Sequence, residues 1–238
     1  MNGHNILTLE GEKLALARKI YLFLASLFIA ALITCNIIAN KFISIDIWLF
    51  GYWKTFVISV GILPYPITFL ITDILSEVYG RKRTNEVVLA GFGVSVFVLF
   101  ILWLGHSFPA ISNSPVSDDA FNVVFQNSWR VIMASMIAYL SAQFLDIRLF
   151  HFWKGITKGR MLWVRNNFST ITSQLVDTFL VVSIIFIGRE NWGTIGGYIL
   201  DGWLFKILCA LLDTVFIYLV VWGFKRMFGL QQGQEIAV

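Results

Sequence analysis

Charged residues are scarce in this chain of 238 residues. Asp, Glu, Lys and Arg together make up 13% of it, whereas hydrophobic residues make up 58%. A soluble domain carries about 25% charged residues. A water-soluble fold of this length could not hide so many apolar side chains, because too much of its surface would have to be polar. The composition therefore excludes an ordinary soluble globule and a disordered chain.

The chemical motifs of common enzymes are also missing. The two cysteines, Cys35 and Cys209, lie in separate apolar runs, so we expect free thiols and no disulfide scaffold. There is no P-loop, no H-E-x-x-H and no G-x-S-x-G. The three histidines, His4, His106 and His151, fall in predicted tails or loops. We expect no metal and no cofactor, and an enzyme is disfavoured, although an intramembrane enzyme using paired carboxylates stays an open alternative.

Long apolar runs are what the sequence does contain. A helix needs roughly 20 apolar residues to cross a hydrocarbon core of about 30 Å. Segments of this length are too long for barrel strands, so their backbone polar groups must be satisfied within helices. The sequence predicts an all-α polytopic membrane protein, one domain over residues 1–238, built as a bundle of six transmembrane helices. The predicted spans are about 20–40, 56–79, 86–105, 130–150, 167–188 and 197–223.

The distribution of Lys and Arg predicts the orientation. With the N-terminus inside, thirteen of the 18 basic residues fall in inner regions, and Lys206 lies within the last span. The outer regions hold only Lys41, Lys54, Arg130 and Arg189. Basic residues concentrate on the cytoplasmic side of membrane proteins, so we expect both termini in the cytoplasm. The net charge of +4 is then a topology signal, the lipid bilayer is the partner, and no nucleic-acid partner is expected.

Polar residues inside the spans are the candidates for function. A carboxylate at the centre of a membrane helix costs about 2.5–3.5 kcal/mol on insertion scales, and such groups usually face a bundle interior or an aqueous cavity. At a rise of about 1.5 Å per residue, four helices place polar groups in one layer between the midplane and the inner half. The candidate binding residues are Asn36, Asp73, Gln143, Asp146, Gln174, Asp177, Lys206 and Asp213.

Spacing groups some of these residues on common helix faces. Gln143 and Asp146 are three residues apart, as are Gln174 and Asp177, so each pair shares one face of its helix. Hydrogen bonds between helices are the structural alternative to a ligand site. Lys206 is expected to pair with Asp177 or with Asp213, because pairing lowers the cost of burying both charges.

Two further patterns concern the second span. Glu77 precedes Arg81 by four residues, which predicts an ion pair at the end of the helix. Pro64 and Pro66 cannot continue a helix from upstream. The helix either starts there or is broken there, and a broken helix would point its positive N-terminus into the bundle.

Three sequence blocks resemble the VUT-type family of bacterial queuosine-precursor transporters. The first block runs from Pro66 to Arg81 and contains T-D-x-x-x-E-x-Y-G-R; the second runs from Tyr139 to Asp146. The third runs from Trp163 to Thr178 and contains R-N-N-x-S-T-x-x-S-Q-x-x-D-T. The first 18 residues and the last ten lie outside the resemblance.

The resemblance implies a bacterial inner-membrane importer of 7-deazaguanine bases, such as 7-cyano-7-deazaguanine, for the queuosine modification of tRNA. The polar layer suits such a base: Asp73, Asp146 and Asp177 could accept its N–H groups, Gln143 and Gln174 could read it, and Lys206 could donate. Two alternatives stay open. The chain could be a substrate-binding subunit that needs a separate ATP-driven module, or a structural protein with no small ligand.

Overall fold

The structure is a computed structural model that describes residues 6–39, 41–49, 51–125, 129–188, 190–231 and 233–237. The helices are α1 (Gly11–Ile37), α2 (Tyr65–Val78), α3 (Gly80–His106), α4 (Asp118–Phe125), α5 (Trp129–Ile156), α6 (Leu162–Phe186) and α7 (Trp192–Phe228). The strands are β1 (Ile6–Leu7), β2 (Phe42–Leu49), β3 (Tyr52–Ser59) and β4 (Glu235–Ile236), and a short 3-10 turn (Val60–Ile62) precedes α2. The protein is thus a helical polytopic membrane protein, as the sequence predicts.

Among the described residues, five segments are long and apolar enough to cross a membrane. They are Gly11–Ile37, Val60–Val78, Gly80–His106, Leu162–Phe186 and Trp192–Phe228. The remaining predicted span, 130–150, lies within α5, which has 28 residues but is not among the five. Arg189 and the side chain of Arg130, both counted above with the outer regions, lie outside the described part of the chain.

The first and last described strands, β1 and β4, lie at one end of the bundle, called here the terminal end. Strand β1 pairs in parallel with β4, with Ile6 opposite Glu235 and Leu7 opposite Ile236. Ile236 is buried, and it joins the main hydrophobic core with residues of α1, α2, α3, α5 and α7. The helices around this core bury polar side chains on their inner faces and expose large apolar ones outward, which is the arrangement expected of a bundle surrounded by lipid.

A β-hairpin occupies the opposite end, called here the hairpin end, and it was not predicted. Strands β2 and β3 pair antiparallel, with Trp48 opposite Trp53. Phe56 and Ile58 bury one face of the hairpin against Phe205 of α7. A period-two alternation of Ile43, Ile45 and Ile47 is the strand signal that the sequence offered. Such a short pattern between two long apolar runs is easily masked by the average hydropathy.

The hairpin corrects the predicted second span. Residues 56–59 of the span predicted at 56–79 belong to β3, and helix α2 begins only at Tyr65. Of the two interpretations of Pro64 and Pro66, the structure shows a helix start: Pro64 is the N-cap residue and Pro66 lies in the first turn. Proline is well tolerated there because the first helical N–H groups have no partner within the helix.

Candidate functional site

Helices α2, α5 and α6 place acids and amides in one buried layer. Asp73, Gln143, Asp146, Gln174 and Asp177 each keep 4% or less of their surface exposed. These residues are among the polar candidates that the sequence predicts. Its polar groups must be satisfied by one another, by water or by a ligand, because an unpaired buried polar group is costly.

A small cavity opens on this layer between α2, α6 and α7. Its polar lining consists of Thr170, Gln174, Lys206 and Asp213, and its aromatic lining consists of Tyr65, Phe69 and Phe205. The cavity volume is about 20 Å³, which is room for about one water molecule. A planar bicyclic base is far larger than this volume.

Lys206 forms the ion pair that the sequence predicts, and its partner is Asp177 rather than Asp213. Lys206 Nζ lies 2.5 Å from Asp177 Oδ2, and Tyr65 Oη donates to Asp177 Oδ1 at 2.8 Å. The ammonium group also lies over the Tyr65 ring, 4.6 Å from its centroid, a favourable cation–π position. Asp177 therefore fixes both a cation and an aromatic ring at the cavity wall. Tyr65 was missed by the sequence interpretation, which considered only the prolines beside it.

Asp73 and Asp146 form a second acidic feature, called here the acid pair. Their carboxyl groups lie within hydrogen-bonding reach of each other. Ser173 Oγ donates to Asp146 Oδ1 at 3.0 Å, and Thr170 Oγ1 lies 3.5 Å from Asp73 Oδ2. Thr170 also lines the cavity, so the acid pair lies directly behind one cavity wall.

The two glutamine amides complete the layer. Within the described residues, neither the nitrogen nor the oxygen of Gln143 and Gln174 has a hydrogen-bond partner, although all four atoms are buried. Most buried polar groups in proteins are hydrogen-bonded, so four unpartnered amide atoms in one layer call for an explanation. Gln174 lines the cavity, where a bound molecule would supply the missing partners.

Asn36 is the predicted site residue that the structure does not bring to this layer. It lines a separate cavity of about 60 Å³ together with Ser95 and Ser135. Ser135 Oγ donates to Asn36 Oδ1 at 3.1 Å, and the amide nitrogen of Asn36 donates to the Leu32 carbonyl at 3.2 Å. Its hydrogen bonds are thus satisfied within the protein.

The predicted ion pair between Glu77 and Arg81 is wrong. Glu77 pairs not with Arg81, which is exposed, but with Arg165 Nη2 at 2.6 Å and Lys154 Nζ at 3.7 Å. Lys154 also bonds Glu235 at 3.0 Å. We call Glu77, Lys154, Arg165 and Glu235 the terminal charge cluster. The sequence placed the two basic residues in an inner loop, because the positive-inside pattern does not distinguish exposed from buried cations.

Fold and site together define a polytopic helical membrane protein with a polar, partly unsatisfied interior. Comparison with known proteins assigns it further: a family model described as “Putative vitamin uptake transporter” matches residues 59–220. The chain belongs to this family, which is one of transporters and not of enzymes. No solved structure matches the chain.

Three curated relatives carry a more specific description. A “Probable queuosine precursor transporter” of Bacillus subtilis (strain 168) is 31% identical over 154 residues, 64% of this chain and 65% of the relative. The “Queuosine precursor transporter” of Escherichia coli (strain K12) is 23% identical over 218 residues, 88% of this chain and 85% of the relative. A “Probable queuosine precursor transporter” of Haemophilus influenzae is 26% identical over 170 residues, 68% of this chain and 67% of the relative. The chain thus spans slightly less than two thirds of the length of the Bacillus relative.

Proposed function

We propose that this protein imports queuosine precursors, 7-deazaguanine bases such as 7-cyano-7-deazaguanine, and binds them in the cavity between α2, α6 and α7. The observation that carries the proposal is a cavity whose wall combines a buried amide with no hydrogen-bond partner among the described residues, a carboxylate and an ion-paired lysine. The names of the three relatives supply the substrate class.

The chemistry of the base matches these side chains. The ring N–H and exocyclic amine of a guanine-like edge are adjacent donors, which the Asp213 carboxylate can accept together. Lys206 can donate to the ring carbonyl while Asp177 holds it in place, and the Gln174 amide can both donate and accept. Tyr65, Phe69 and Phe205 provide aromatic faces of the kind on which nucleobases stack. Gln143 and the acid pair lie behind this wall and act on it indirectly.

Binding requires the cavity to enlarge. Its present volume of about 20 Å³ cannot accept a base, so α2 and the hairpin must move relative to α7 during transport. The positive-inside distribution and the paired termini support an inner-membrane orientation with both termini in the cytoplasm.

Uptake of a labelled precursor into cells that lack their own transporter tests the proposal. We expect Asp213→Asn and Gln174→Ala to reduce uptake at least tenfold at equal membrane levels, because each removes a directional hydrogen bond to the base. Glu86→Gln is the matched control, since Glu86 pairs with Arg83 on an exposed surface of α3. Wild-type uptake by both cavity variants would contradict the site.

Purified protein in lipid vesicles tests the mode of transport. Uptake by the chain alone is expected of an importer that works by itself. Uptake that appears only with an added ATP-driven module would instead make the chain a substrate-binding subunit. Absence of any thermal stabilisation by the base would favour a protein without a small ligand.

A further inference from the structure

The acid pair stands apart from the other buried acids because no cation of the described residues neutralises it. Glu77 pairs with Arg165 and Lys154, and Asp177 pairs with Lys206. Across the described residues, no Lys or Arg nitrogen forms an ion pair with Asp73 or Asp146. The two carboxyl groups nevertheless lie in reach of each other at 2% and 0% exposure.

Within the described part of the chain, the surrounding helices offer no unpaired buried cation. Helix α7 contributes a further acid, Asp213, whose field acts on Asp73. On α6 and α5, Asp177, Arg165 and Lys154 are each engaged in an ion pair with other residues. Arg148, two residues after Asp146 on α5, is exposed. Helices α1 and α3 contribute to the surrounding core with apolar side chains such as Phe28, Leu32 and Val88.

Two touching carboxylates in this environment cannot both remain ionised. Like charges in contact disfavour each other's ionised forms, and a low-dielectric interior strengthens the effect. A shared proton resolves the conflict, because one carboxyl group then donates its O–H to the other. It also gives partners to Asp73 Oδ1 and Asp146 Oδ2, which otherwise have none among the described residues.

The acid pair is physically linked to the cavity. Thr170 lines the cavity and places its hydroxyl 3.5 Å from Asp73 Oδ2, at the limit of hydrogen bonding. Any ligand that moves the Thr170 side chain therefore changes the hydrogen bonding of the acid pair. Gln143, three residues before Asp146 on the same helix face, is a second neighbour with unpartnered atoms.

We infer that the acid pair is the proton-binding site that couples precursor uptake to the proton gradient, an inference that rests on the proposed function. One proton from the outer water binds between Asp73 and Asp146 as an O–H bond when the cavity closes and brings the two carboxyl groups together. The same proton is released to the inner water when the helices separate on the inner side and water surrounds each carboxylate, so that the two are no longer in contact. The base itself is neutral, so one positive charge enters per base.

The ligand set favours a proton over a divalent metal cation. Ca²⁺ takes six to eight oxygen ligands and Mg²⁺ requires an octahedral set. Within the described residues, no group of three or more acidic, His or Cys side chains could hold a metal ion. Two carboxyl groups with two hydroxyl neighbours are enough to hold a proton, which needs only a donor and an acceptor oxygen.

Vesicles containing the purified protein allow binding of the base, exchange of the base and coupling to protons to be measured separately. For one coupled proton, a pH gradient of one unit, acidic outside, drives at most about tenfold accumulation of 7-cyano-7-deazaguanine. We expect the wild type to approach this value and a proton ionophore to abolish it. Asp73→Asn and Asp146→Asn should exchange labelled for unlabelled base at nearly the wild-type rate without accumulating it. Glu86→Gln should behave as the wild type in both assays.

If the variants do not insert into the membrane, proton uptake by the wild type still tests the proton site. Adding the base to weakly buffered vesicles should make the outer medium more alkaline by one proton per base taken up. Exchange and binding without gradient-driven accumulation or alkalinisation would overturn the proton site and leave the proposed function intact. Accumulation by both variants at the wild-type level would also overturn it. Absence of binding and exchange in the wild type would instead contradict the proposed function.

Discussion

The terminal charge cluster and the polar layer around the cavity are both buried and both charged, yet they differ in balance. The cluster combines two acids with two bases, and its contacts run from 2.6 to 3.7 Å. The layer contains four acids, Asp73, Asp146, Asp177 and Asp213, but one base, Lys206. A cluster with equal numbers of acids and bases can stabilise the fold without binding a further group. An unbalanced layer needs a further positive or hydrogen-bonding group, which a transporter can supply as a proton or a ligand.

The terminal charge cluster and the polar layer also lie at different places in the bundle. The terminal charge cluster joins α2, α5 and α6 to the C-terminal segment, because Lys154 bonds both Glu77 and Glu235. The layer lies nearer the hairpin end, beside a cavity and a helix start at Pro64. The cluster therefore ties helices and the C-terminal segment together at the terminal end, whereas the layer borders a cavity.

The largest expected effect is the loss of stability in Arg165→Gln. Arg165→Gln removes the 2.6 Å partner of the buried Glu77 and leaves the longer Lys154 contact at 3.7 Å, so the cost should be about 3 kcal/mol, the lower end of the range for a broken buried ion pair. Thermal unfolding in detergent should show a large loss of stability. Arg81→Gln is the matched control, because Arg81 is the exposed residue that helix spacing alone would pair with Glu77. Equal destabilisation by both variants would remove the distinction between the cluster and the helix surface.

A smaller stability effect, with a large effect on uptake, is expected for the Lys206–Asp177 pair. Lys206→Ala leaves Asp177 with Tyr65 as its hydrogen-bond donor, and the adjacent cavity can admit a water molecule, so the cost should be about 1–3 kcal/mol. Asp177→Asn should abolish uptake while the protein still inserts. A double-mutant cycle of Lys206→Ala with Asp177→Ala measures the coupling. Additive effects on stability would mean that the ion pair contributes nothing to the stability of the fold.

The smallest effect is expected at Gly80, where the C-terminal segment meets the bundle. Gly80 has φ +82°, and an added Cβ would collide with the Glu235 carboxylate. Gly80→Ala should therefore cost at least the roughly 1–2 kcal/mol of a left-handed conformation for a residue with a Cβ. Gly93→Ala on α3 is the control, because nothing lies within 4 Å of its Cβ position. Combining Gly80→Ala with Glu235→Ala should recover part of the loss; no recovery would mean that the C-terminal segment does not rest against Gly80.

Much of the fold could be predicted because apolar length and basic loops are local properties. The spans around α1, α3, α6 and α7 follow from hydropathy alone. The hairpin could not be predicted from hydropathy, because its strands are only eight residues long. Their buried face depends on packing against Phe205. The start of α2 was narrowed to two options by Pro64 and Pro66, and the structure shows that the helix begins at Tyr65.

The candidate site, like the fold, could be predicted only in part. Depth and helix spacing predicted one layer that contains Asp73, Gln143, Asp146, Gln174 and Asp177. They stood out as candidates because a bilayer penalises polar side chains within a membrane span. Helix spacing could not show that Asn36 faces another cavity, because the rotation of α1 is set by its neighbours. Nor could it show that Asp177, and not Asp213, holds Lys206, because both lie within reach of a long flexible side chain.

By itself, the sequence determined that this protein lives in a membrane, how its helices are ordered and which polar residues are too costly to be accidental. These conclusions depend on transfer free energies, which act on each residue separately. The tertiary structure decided which charges neutralise each other. Arg165 and Glu77 are 88 residues apart and meet at 2.6 Å, whereas Asp73 and Asp146 meet without a cation. Charge compensation depends on distance in space, and only the packing of the helices sets that distance.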